Sequence, residues 1–373
     1  MKKKWIKKLN TFKKHEMKPN RKIQGLLILL MLTTGLSAQN TNCSFRKTFP
    51  AKGGTTTLRL LNKYGDVNVI TVNDDSLTVC ASITIIQDNA ELIKQCVKLI
   101  TFNTQKLTDT IYISTLYDKK FFSTESREGR TSFSVDYVIN IPASLNLNIT
   151  NEFGNISIDE LAGTLNVRLS QGTLTAKKLT KGKEKPMSTV WVDHGKVNIS
   201  ELNWMTLSVV NCLSVNIDKA QALMMSSVIS KIKMGEISSL ICDSKSDSYN
   251  IRSINNIISG STYSTYEIGK LNGQLKSKSI YGSLSIADLD KGFSSIDIVA
   301  SQTQISLKNI SGVSFKTDLI GSDAQVDIQA DKYPGILRTT SNFSTTLSGI
   351  AGIDKNTKSL VTIRATGGKV SIQ

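Results

Sequence analysis

The sequence is poor in the residues that most often carry cofactors or catalysis. Of its 373 residues only two are histidines, five are prolines and 6% are aromatic. A haem protein or a histidine-rich metalloenzyme is therefore not expected. The five cysteines also lack metal-binding spacings such as Cys-x-x-Cys. We expect neither a bound cofactor nor a metal site.

Positive charge is concentrated at the start of the chain. Residues 1–38 contain nine lysines and one arginine against a single acid, Glu16, and the stretch from Ile23 to Ala38 is uncharged. This order, with small residues at its end, is typical of a secretory signal peptide and is too short for a transmembrane helix. We predict that residues 1–38 are a signal peptide, with translation starting at Met1 or Met17. We also expect an exported chain without a transmembrane span, located in the periplasm, at the cell surface or in the medium.

Without residues 1–38 the chain keeps 36 basic and 29 acidic residues, a net charge of +7. This mildly basic balance gives no case for a nucleic-acid partner.

The five cysteines are an odd number for a disulfide framework. Cys80 and Cys96 could pair, or both could remain thiols. Asn40, Thr41 and Asn42 precede Cys43, so a lipidated cysteine is not expected.

A repeat dominates the second half of the chain. Its template is the segment 151–161, with Gly154 taken as the origin of one copy. Further origins follow at intervals of 17–25 residues. They are Gly172, Gly195, Leu213, Ser230, Asp247, Ser264, Gly282, Thr303, Ala324, Phe343 and Gly368.

The alternation within each copy predicts the fold. Two residues after the origin only Thr345 is plainly polar, and four residues after it every copy is apolar. Seven residues after it only Asp331 breaks the apolar pattern, whereas the first and third positions are always polar. Alternation of apolar and polar residues with a period of two is typical of strands with one buried face. Because the copies recur regularly, each copy can stack on the next. We predict an all-β parallel β-helix, or β-solenoid, of about twelve short coils over residues 142–373, with a second strand in each coil.

Several details sharpen this prediction. Glycine at five origins suggests a turn with positive φ. Tyr249 and Tyr266 share a register position and are expected to stack, while Asn198 and Asn216 are expected to form an amide ladder. An antiparallel sandwich is the competing all-β fold, but it would need hairpin turns and variable spacing.

Residues 40–141 follow a different pattern, which predicts a β-rich cap region with one helix. The predicted strands are Thr56–Leu61, Asp66–Val72, Leu77–Ile86, Thr110–Thr115 and Ser132–Ile139. The predicted helix spans 88–98, with Asp88 as its N-cap. Residues 62–69 repeat the pattern of 151–158, which indicates either a solenoid-like start or a cap over the first coil. Lys119–Arg130 is predicted to be a mobile loop.

Three segments give the chain a resemblance to a known family. The pattern Asn-x-aromatic-Gly-x-Ile/Val-x-Ile/Val occurs at 62–69 and 151–158, and it is joined by Ile141-Pro-Ala-Ser-Leu-Asn-Leu147 and Leu161-Ala-Gly-Thr-Leu165. Together they resemble the bacterial family of exported, adhesin-like β-strand-repeat proteins of unknown function. Some members of that family are labelled auto-transporter adhesin heads. The resemblance covers most of residues 45–373 and implies a fold but no catalytic residues. We do not expect the auto-transporter label to apply, because the chain ends at Gln373 inside a solenoid strand.

One coil carries the candidate ligand-binding residues. Segment 180–187 lengthens its coil from about 18 to 23 residues and is rich in lysine, so it should protrude as a basic loop. Exposed tryptophan beside lysine can bind sugars or acidic polymers, although we favour the interpretation that both tryptophans fill the core. His194 beside Asp193 invites a catalytic role, but a turn residue is the favoured interpretation. The candidates are Lys181, Lys183, Lys185, Trp191, His194 and Trp204.

These observations lead to a functional hypothesis without an enzymatic step. We expect an exported envelope protein, adhesin-like or scaffolding, whose rigid solenoid contacts an envelope or extracellular glycan or protein. One alternative is a glycan-binding module that uses the Trp191–Trp204 coil. Another is a carbohydrate-active β-helix enzyme, but acids such as Asp288 and Asp290 form no evident catalytic cluster. The sequence leaves the ligand, the means of surface retention and the oligomeric state open.

Overall fold

A computed structural model of the protein describes residues 43–123, 132–310, 312–329 and 332–373. The predicted signal peptide at residues 1–38 lies outside this range, as does Asp331, the polar exception in the repeat. The predicted loop Lys119–Arg130 is described only as far as Ser123.

The described residues before Pro142 form seven strands and one α-helix. The strands are β1 (Phe45–Pro50), β2 (Thr57–Lys63), β3 (Val67–Thr71), β4 (Ser76–Ile86), β5 (Ile100–Lys106), β6 (Thr110–Tyr117) and β7 (Ser132–Ile141). Helix α1 spans Ala90–Lys98, and a short 3-10 helix spans Lys119–Phe122. The five predicted strands are all present with ends shifted by one or two residues, whereas β1 and β5 were not predicted.

Strands continue almost without interruption over the rest of the chain. They are β8 (Asn146–Glu152), β9 (Ile156–Leu161), β10 (Leu165–Ser170), β11 (Thr173–Leu179), β12 (Ser188–Asp193), β13 (Lys196–Val210), β14 (Ser214–Val228), β15 (Lys231–Lys245), β16 (Ser248–Thr262), β17 (Thr265–Leu289), β18 (Ser295–Leu307), β19 (Phe315–Ser322), β20 (Gln325–Ile328), β21 (Ile336–Thr340), β22 (Ser344–Ala351) and β23 (Leu360–Ile372).

Each coil contributes one strand segment to each of two faces, which confirms the predicted second strand. On face A, β2, β8, β10, β12 and the second half of β13 pair in parallel. On face B, β3, β9, β11 and the first half of β13 do the same. From β13 to β16 a single strand of 15 residues runs through a whole coil. The protein is therefore an all-β solenoid.

The predicted register is confirmed over most of the stack. Val197 pairs with Val215 and Val215 with Ile232, and all three side chains are buried. Each such side chain stabilises the fold by about 1.5–3 kcal/mol relative to exposure. The rings of Tyr249 and Tyr266 stack with centroids 4.5 Å apart, as expected. The amide ladder is also present, since Nδ2 of Asn216 donates to Oδ1 of Asn198 over 2.8 Å.

The turn from face A to face B corrects the expectation about glycine. In most coils the residue before the origin, and not the origin itself, has positive φ; in the coil of Asn211 it lies two residues before the assigned origin, Leu213. The residues concerned, with φ of 49–63°, are Tyr64, Phe153, Gln171, His194, Asn211, Ile229, Ser246, Tyr263, Tyr281, Gln302 and Asp323. Glycine at the origin serves close approach instead: a Cβ on Gly172 would lie 2.0 Å from the carbonyl oxygen of Gly154 in the preceding coil. The origin Gly368, with φ of 76°, is as expected.

The C-terminal coils do not stack in chain order, contrary to our expectation. Strand β23 lies between β18 and β20, so that Val370 pairs with both Ile305 and Val326. The copy that begins at Phe343 does not continue the parallel stack, because its strand β22 pairs antiparallel with β19 and β21. Alternation specifies the buried side of a strand, but it does not specify the neighbour with which that strand pairs.

The N-terminal strands extend the same stack. Leu60 of β2 pairs with Ile149 of β8, and Val67 of β3 pairs with Ile156 of β9, so the repeated motif at 62–69 occupies a coil. Beyond this coil, β6 and β7 pair in parallel with β2 and β3, and antiparallel β5, β4 and β1 follow. The antiparallel strands shield the open edge of the parallel stack. The predicted domain boundary between 40–141 and 142–373 stays a prediction.

Two local predictions in this region are wrong. The N-cap of α1 is Asn89 and not Asp88, because Oδ1 of Asn89 accepts hydrogen bonds from the backbone N–H groups of Glu91 and Leu92 at 2.9 and 3.3 Å. The segment Lys119–Phe122 is a 3-10 helix and not a mobile loop. It is held by Phe121, which is buried and contacts Phe133 with ring centroids 4.7 Å apart.

The cysteines pair differently from either expectation. Cys43 forms a disulfide with Cys80, which fastens the start of the described chain to β4. Cys96, Cys212 and Cys242 are free and buried. Cys96 lies on α1, so its proximity to Cys80 in sequence does not bring the two sulfurs together.

Candidate ligand-binding surface

The six predicted ligand-binding residues do not form one cluster. Lys181, Lys183 and Lys185 lie on the connection 180–187 between β11 and β12. His194 follows β12 at its other end. The six residues of β12 span about 20 Å, so the loop and His194 lie at opposite corners of the coil.

Trp191 is a surface residue of face A. Its neighbours Val190 and Val192 are buried, so its own side chain points outward, where it is partly exposed. The guanidinium carbon of Arg168 lies 4.3 Å from the centroid of its ring, a cation–π contact that covers one side of the indole. The interpretation of Trp191 as a core residue is therefore wrong.

Trp204 lies beside the lysine-rich loop and likewise outside the buried core. The preceding residue, Asn203, donates from Nδ2 to the carbonyl oxygen of Thr180 over 3.0 Å, and this bond fixes the start of the loop. Trp204 and the loop are thus neighbours, whereas Trp191 belongs to a different part of the same face.

His194 occupies a turn, as the favoured interpretation had it. Its φ is 51°, and it is one of the residues that turn the chain from face A to face B. Its Nδ1 lies 2.8 Å from Oδ1 of Asp193, and its side chain is 60% exposed. An exposed corner residue of this kind is typical of the solenoid turn.

A shallow groove lies at the other corner, where the chain turns from face B back to face A. Its volume is about 560 Å³. The floor consists of apolar residues that are themselves buried: Leu202, Ala220 and Ile237. We call this surface the corner groove. Its other lining residues are Glu201, Asn203, Lys219, Gln221, Glu236, Ser238, Ser253, Asn255 and Asn272.

Two rows of polar side chains form the walls of the corner groove. The first row follows the strand register, with Glu201 opposite Lys219 and Lys219 opposite Glu236. The second row stands two residues later in each coil. It contains Asn203, Gln221, Ser238, Asn255 and Asn272. One coil therefore contributes one residue to each wall.

The cations beside the groove are paired. The carboxylate of Glu236 lies 3.9 Å from Nζ of Lys219 and 3.0 Å from Nη2 of Arg252. All three side chains are more than half exposed, so these pairs add little to stability. Their consequence is electrostatic, because the two cations and the two carboxylates Glu236 and Glu201 leave no net charge on this wall.

Longer connections lie next to both ends of the corner groove. At one end stands the loop 180–187, tied to Asn203. At the other end the residues 290–294 join β17 to β18, where the backbone N–H of Asp290 donates to Leu271 and that of Ser294 donates to Gly273. Between the two, β13 to β16 run through the corner as continuous strands and leave the concave surface open.

The interior contains a row of polar groups that no ligand reaches. Asp247 is 4% exposed, and its Oδ1 accepts from the backbone N–H of Ser230 over 2.7 Å. Its Oδ2 accepts from Ser227 Oγ over 2.7 Å, and Ser227 Oγ lies 2.6 Å from the Tyr249 hydroxyl. Burial raises the pKa of the Asp247 carboxyl, and it raises the pKa of the Cys242 thiol to about 12. These groups belong to the core rather than to a site.

Exposed apolar and aromatic residues were missed in the sequence because they fall outside the buried positions of the repeat. Tyr263 and Tyr281, one before their origins, stack at 5.1 Å on the turn corner and are 60% and 47% exposed. Met224, Ile241 and Ile258 lie side by side on face A and are each about half exposed. Their signal was the presence of apolar residues at positions where other coils carry polar ones.

The described residues offer no metal site. Within 43–123, 132–310, 312–329 and 332–373, no three histidine, cysteine or acidic side chains are placed to bind one ion. In that same part of the chain no helix has the length and apolarity needed to cross a membrane.

No protein-family model matches the chain, and no curated protein matches it. Solved structures do. A candidate adhesin from Parabacteroides merdae matches over 70% of this chain and 95% of its own, with 8% identity and a TM-score of 0.33. A candidate adhesin from Parabacteroides distasonis matches over 72% and 98%, with 11% identity and a TM-score of 0.32. One from Bacteroides fragilis matches over 71% and 95%, with 11% identity and a TM-score of 0.29. At this level of similarity the function has to be argued from the chain's own residues.

Proposed function

We propose that the protein is an exported, non-enzymatic surface protein that adheres to glycan or protein surfaces through many weak contacts along its solenoid. The observation that carries the proposal is the outward column of face B next to the turn corner. It is polar at twelve successive levels from β3 to β20: Asp66, Asn155, Thr173, Lys196, Ser214, Lys231, Ser248, Thr265, Ser283, Gln304, Lys369 and Gln325. Within this series the two coils of β17 are joined by the close approach of Gly282 to the carbonyl oxygen of Ser264.

A column of this kind presents hydrogen-bonding groups at the strand spacing over about 50 Å. Parallel pairing fixes the backbone from which these groups project, so little backbone entropy is lost when a surface binds. Repeated weak contacts on such a frame raise the overall affinity by multivalency. A rigid polar ladder therefore suits adhesion or scaffolding better than the capture of a single small molecule.

Export is supported by two independent features. The charge and apolar pattern of residues 1–38 predicts a signal peptide. The Cys43–Cys80 disulfide is typical of proteins that fold in an oxidising compartment. If the protein is displayed at the surface, protease added to intact cells of the source bacterium should cleave it.

Adhesion is tested with beads that carry the purified protein at graded densities. Beads should be retained on surfaces coated with glycans or extracellular-matrix proteins, and retention should rise steeply with density, as multivalent binding requires. Beads with Ile286→Asp, which disrupts the stack, serve as the control. Retention no better than that of the control on every surface would overturn the proposal. So would the release of shorter fragments from the coating glycans, because that would reveal an enzyme.

A further inference from the structure

We propose that the corner groove binds a neutral, extended oligosaccharide, with successive sugar rings lying across successive coils. The inference rests on the proposed function and names a ligand class for it. It assigns a site separate from the Trp191 surface and from the polar column of face B.

The shape of the groove calls for an elongated ligand with a repeating structure. Its second wall row follows the stacking direction from Asn203 to Asn272, five levels that span about 19 Å at the strand spacing. The groove is open along one side, and the connections 180–187 and 290–294 lie next to its ends. Each level presents the same two wall positions, so a chain of similar units would meet a similar environment at every coil.

The chemistry of the walls matches hydroxyl groups. An amide or hydroxyl side chain both donates and accepts hydrogen bonds, as each sugar hydroxyl does. Gln221 and Ser238 are exposed, and their side chains form no hydrogen bond within the described part of the chain. Asn255 accepts from Asn272 through Oδ1 only, which leaves its amide nitrogen directed to other partners. Unused donors and acceptors thus stand at three adjacent coils.

The charges favour a neutral sugar over an acidic one. Lys219 and Arg252 are both paired with Glu236, and Glu201 balances the remaining positive charge on the same wall. An anionic glycan would have to displace these pairs and approach two carboxylates. This preference is opposite to that expected for the lysine-rich loop at 180–187.

The corner groove lacks the two features by which peptides usually bind, a free strand edge and apolar pockets. Peptides that add to a sheet need an unpaired strand edge, whereas the strands beneath the groove pair with a neighbouring coil on both sides. Peptides that dock by side chains need apolar pockets, but Leu202, Ala220 and Ile237 are at most 4% exposed. The groove therefore offers polar walls over a sealed floor.

Trp204 supplies an intrinsic reporter. It follows the lining residue Asn203 directly and is partly exposed. In the variant Trp191→Phe it is the one tryptophan outside residues 1–38. A ligand lying against Asn203 should change its fluorescence.

The test titrates this variant with cellohexaose, mannohexaose and chitohexaose, and with hexagalacturonate and a serine–threonine hexapeptide as comparators. We expect saturable binding of at least one neutral hexaose, recovered intact, and weaker binding of both comparators. Adding Gln221→Ala with Asn255→Ala should weaken binding roughly tenfold or more, as the loss of two hydrogen bonds implies. Asn166→Ala, an outward amide on face A, is the matched control and should leave binding unchanged. The reporter protein, the groove variant and the Asn166→Ala control should have equal melting temperatures. Any difference in affinity between them then reflects binding and not folding.

Four outcomes would overturn the assignment: no neutral hexaose binds, hexagalacturonate binds more tightly, the hexapeptide binds more tightly, or the groove variant binds as well as the control. If adhesion by coated beads persists in any of these cases, the groove assignment alone is wrong and the proposed function stands. If the beads also fail to adhere, both are wrong.

Discussion

Asn62 and Asn151, 89 residues apart in sequence, meet inside the solenoid, where Nδ2 of Asn62 donates to Oδ1 of Asn151 over 3.1 Å. Nδ2 of Asn151 donates in turn to the carbonyl oxygen of Gly65 over 2.9 Å. Asn62 also donates to the carbonyl oxygen of Val135 over 3.1 Å. Both asparagines are almost fully buried. Because they hold equivalent positions in neighbouring coils, they join the N-terminal strands to the coil that begins at β8.

The first prediction follows from this bond. Asn151→Ala removes two buried hydrogen bonds, one accepted from Asn62 and one donated to the carbonyl oxygen of Gly65, so we expect the free energy of unfolding to fall by about 1–3 kcal/mol. Urea unfolding measures the change. The control is Asn148→Ala, an outward asparagine of the same strand, which should alter stability by no more than roughly 0.5 kcal/mol. Equal losses for the two variants would contradict a structural role for the hydrogen-bonded pair Asn62 and Asn151.

The second prediction tests the register of the solenoid. Ile286 is fully buried opposite Leu307, whereas the preceding residue, Ser285, points outward opposite Ser306. Ile286→Asp places an unpaired charge in the core and should cost at least about 4 kcal/mol of unfolding free energy. Ser285→Asp should change it by no more than roughly 0.5 kcal/mol. Similar losses of melting temperature in both variants would mean that the assigned faces are wrong.

The sequence predicted the fold where alternation and spacing act locally, and it failed where partner choice is non-local. The buried positions of the repeat follow from period two alone, and Val197, Val215 and Ile232 lie as expected. The pairing of β23 with β18 could not be predicted from the sequence, because any strand with the same alternation fits the same core. The Cys43–Cys80 disulfide was missed for a similar reason, since it depends on the antiparallel pairing of β1 with β4.

The candidate surface was predictable only in part. The tryptophans and the lysine-rich loop are conspicuous in sequence, but their distribution around the coil depends on where each strand turns. The corner groove has only a weak signal in the sequence. The signal is the recurrence of polar residues six and eight positions after the origin, as with Lys219 and Gln221 after Leu213. Recognising it required knowing that β13 to β16 pass that corner without a loop.

The third prediction concerns the disulfide. The bond between Cys43 and Cys80 closes a segment with a sequence separation of 37 residues, and a loop of that size corresponds to about 3–4 kcal/mol in the chain-entropy account. Reduction should therefore lower the melting temperature of the wild-type protein and leave the double variant Cys43→Ser, Cys80→Ser unaffected. Labelling of the denatured, unreduced protein should find three thiols, namely Cys96, Cys212 and Cys242. A count of five thiols, or a pair that includes Cys96, would contradict the assignment.

The fourth prediction is a pH dependence of stability that originates at Asp247. Burial raises the pKa of this carboxyl in the folded protein, and the hydrogen bonds from Ser227, Ser230 and Lys245 offset the effect only in part. Below the unfolded pKa, about 3.9, Asp247 is protonated in both states. Above it the folded state retains a proton that the unfolded chain has lost, so the contribution of Asp247 to stability falls as pH rises through the folded pKa.

Asp247→Asn removes this titration and keeps an oxygen that can accept from the backbone of Ser230. The unfolding free energy of the wild type minus that of the variant should therefore decrease from about pH 4 upward and level off once the folded carboxyl is ionised. Asp327 provides a control of opposite sign, because hydrogen bonding to Lys369 lowers its pKa and stability is lost as pH falls. Denaturant unfolding of Asp247→Asn above about pH 4 and of Asp327→Asn below about pH 4 measures the two slopes. A flat or rising difference for Asp247→Asn would show that the buried carboxyl is not the source, since a raised folded pKa permits only a fall.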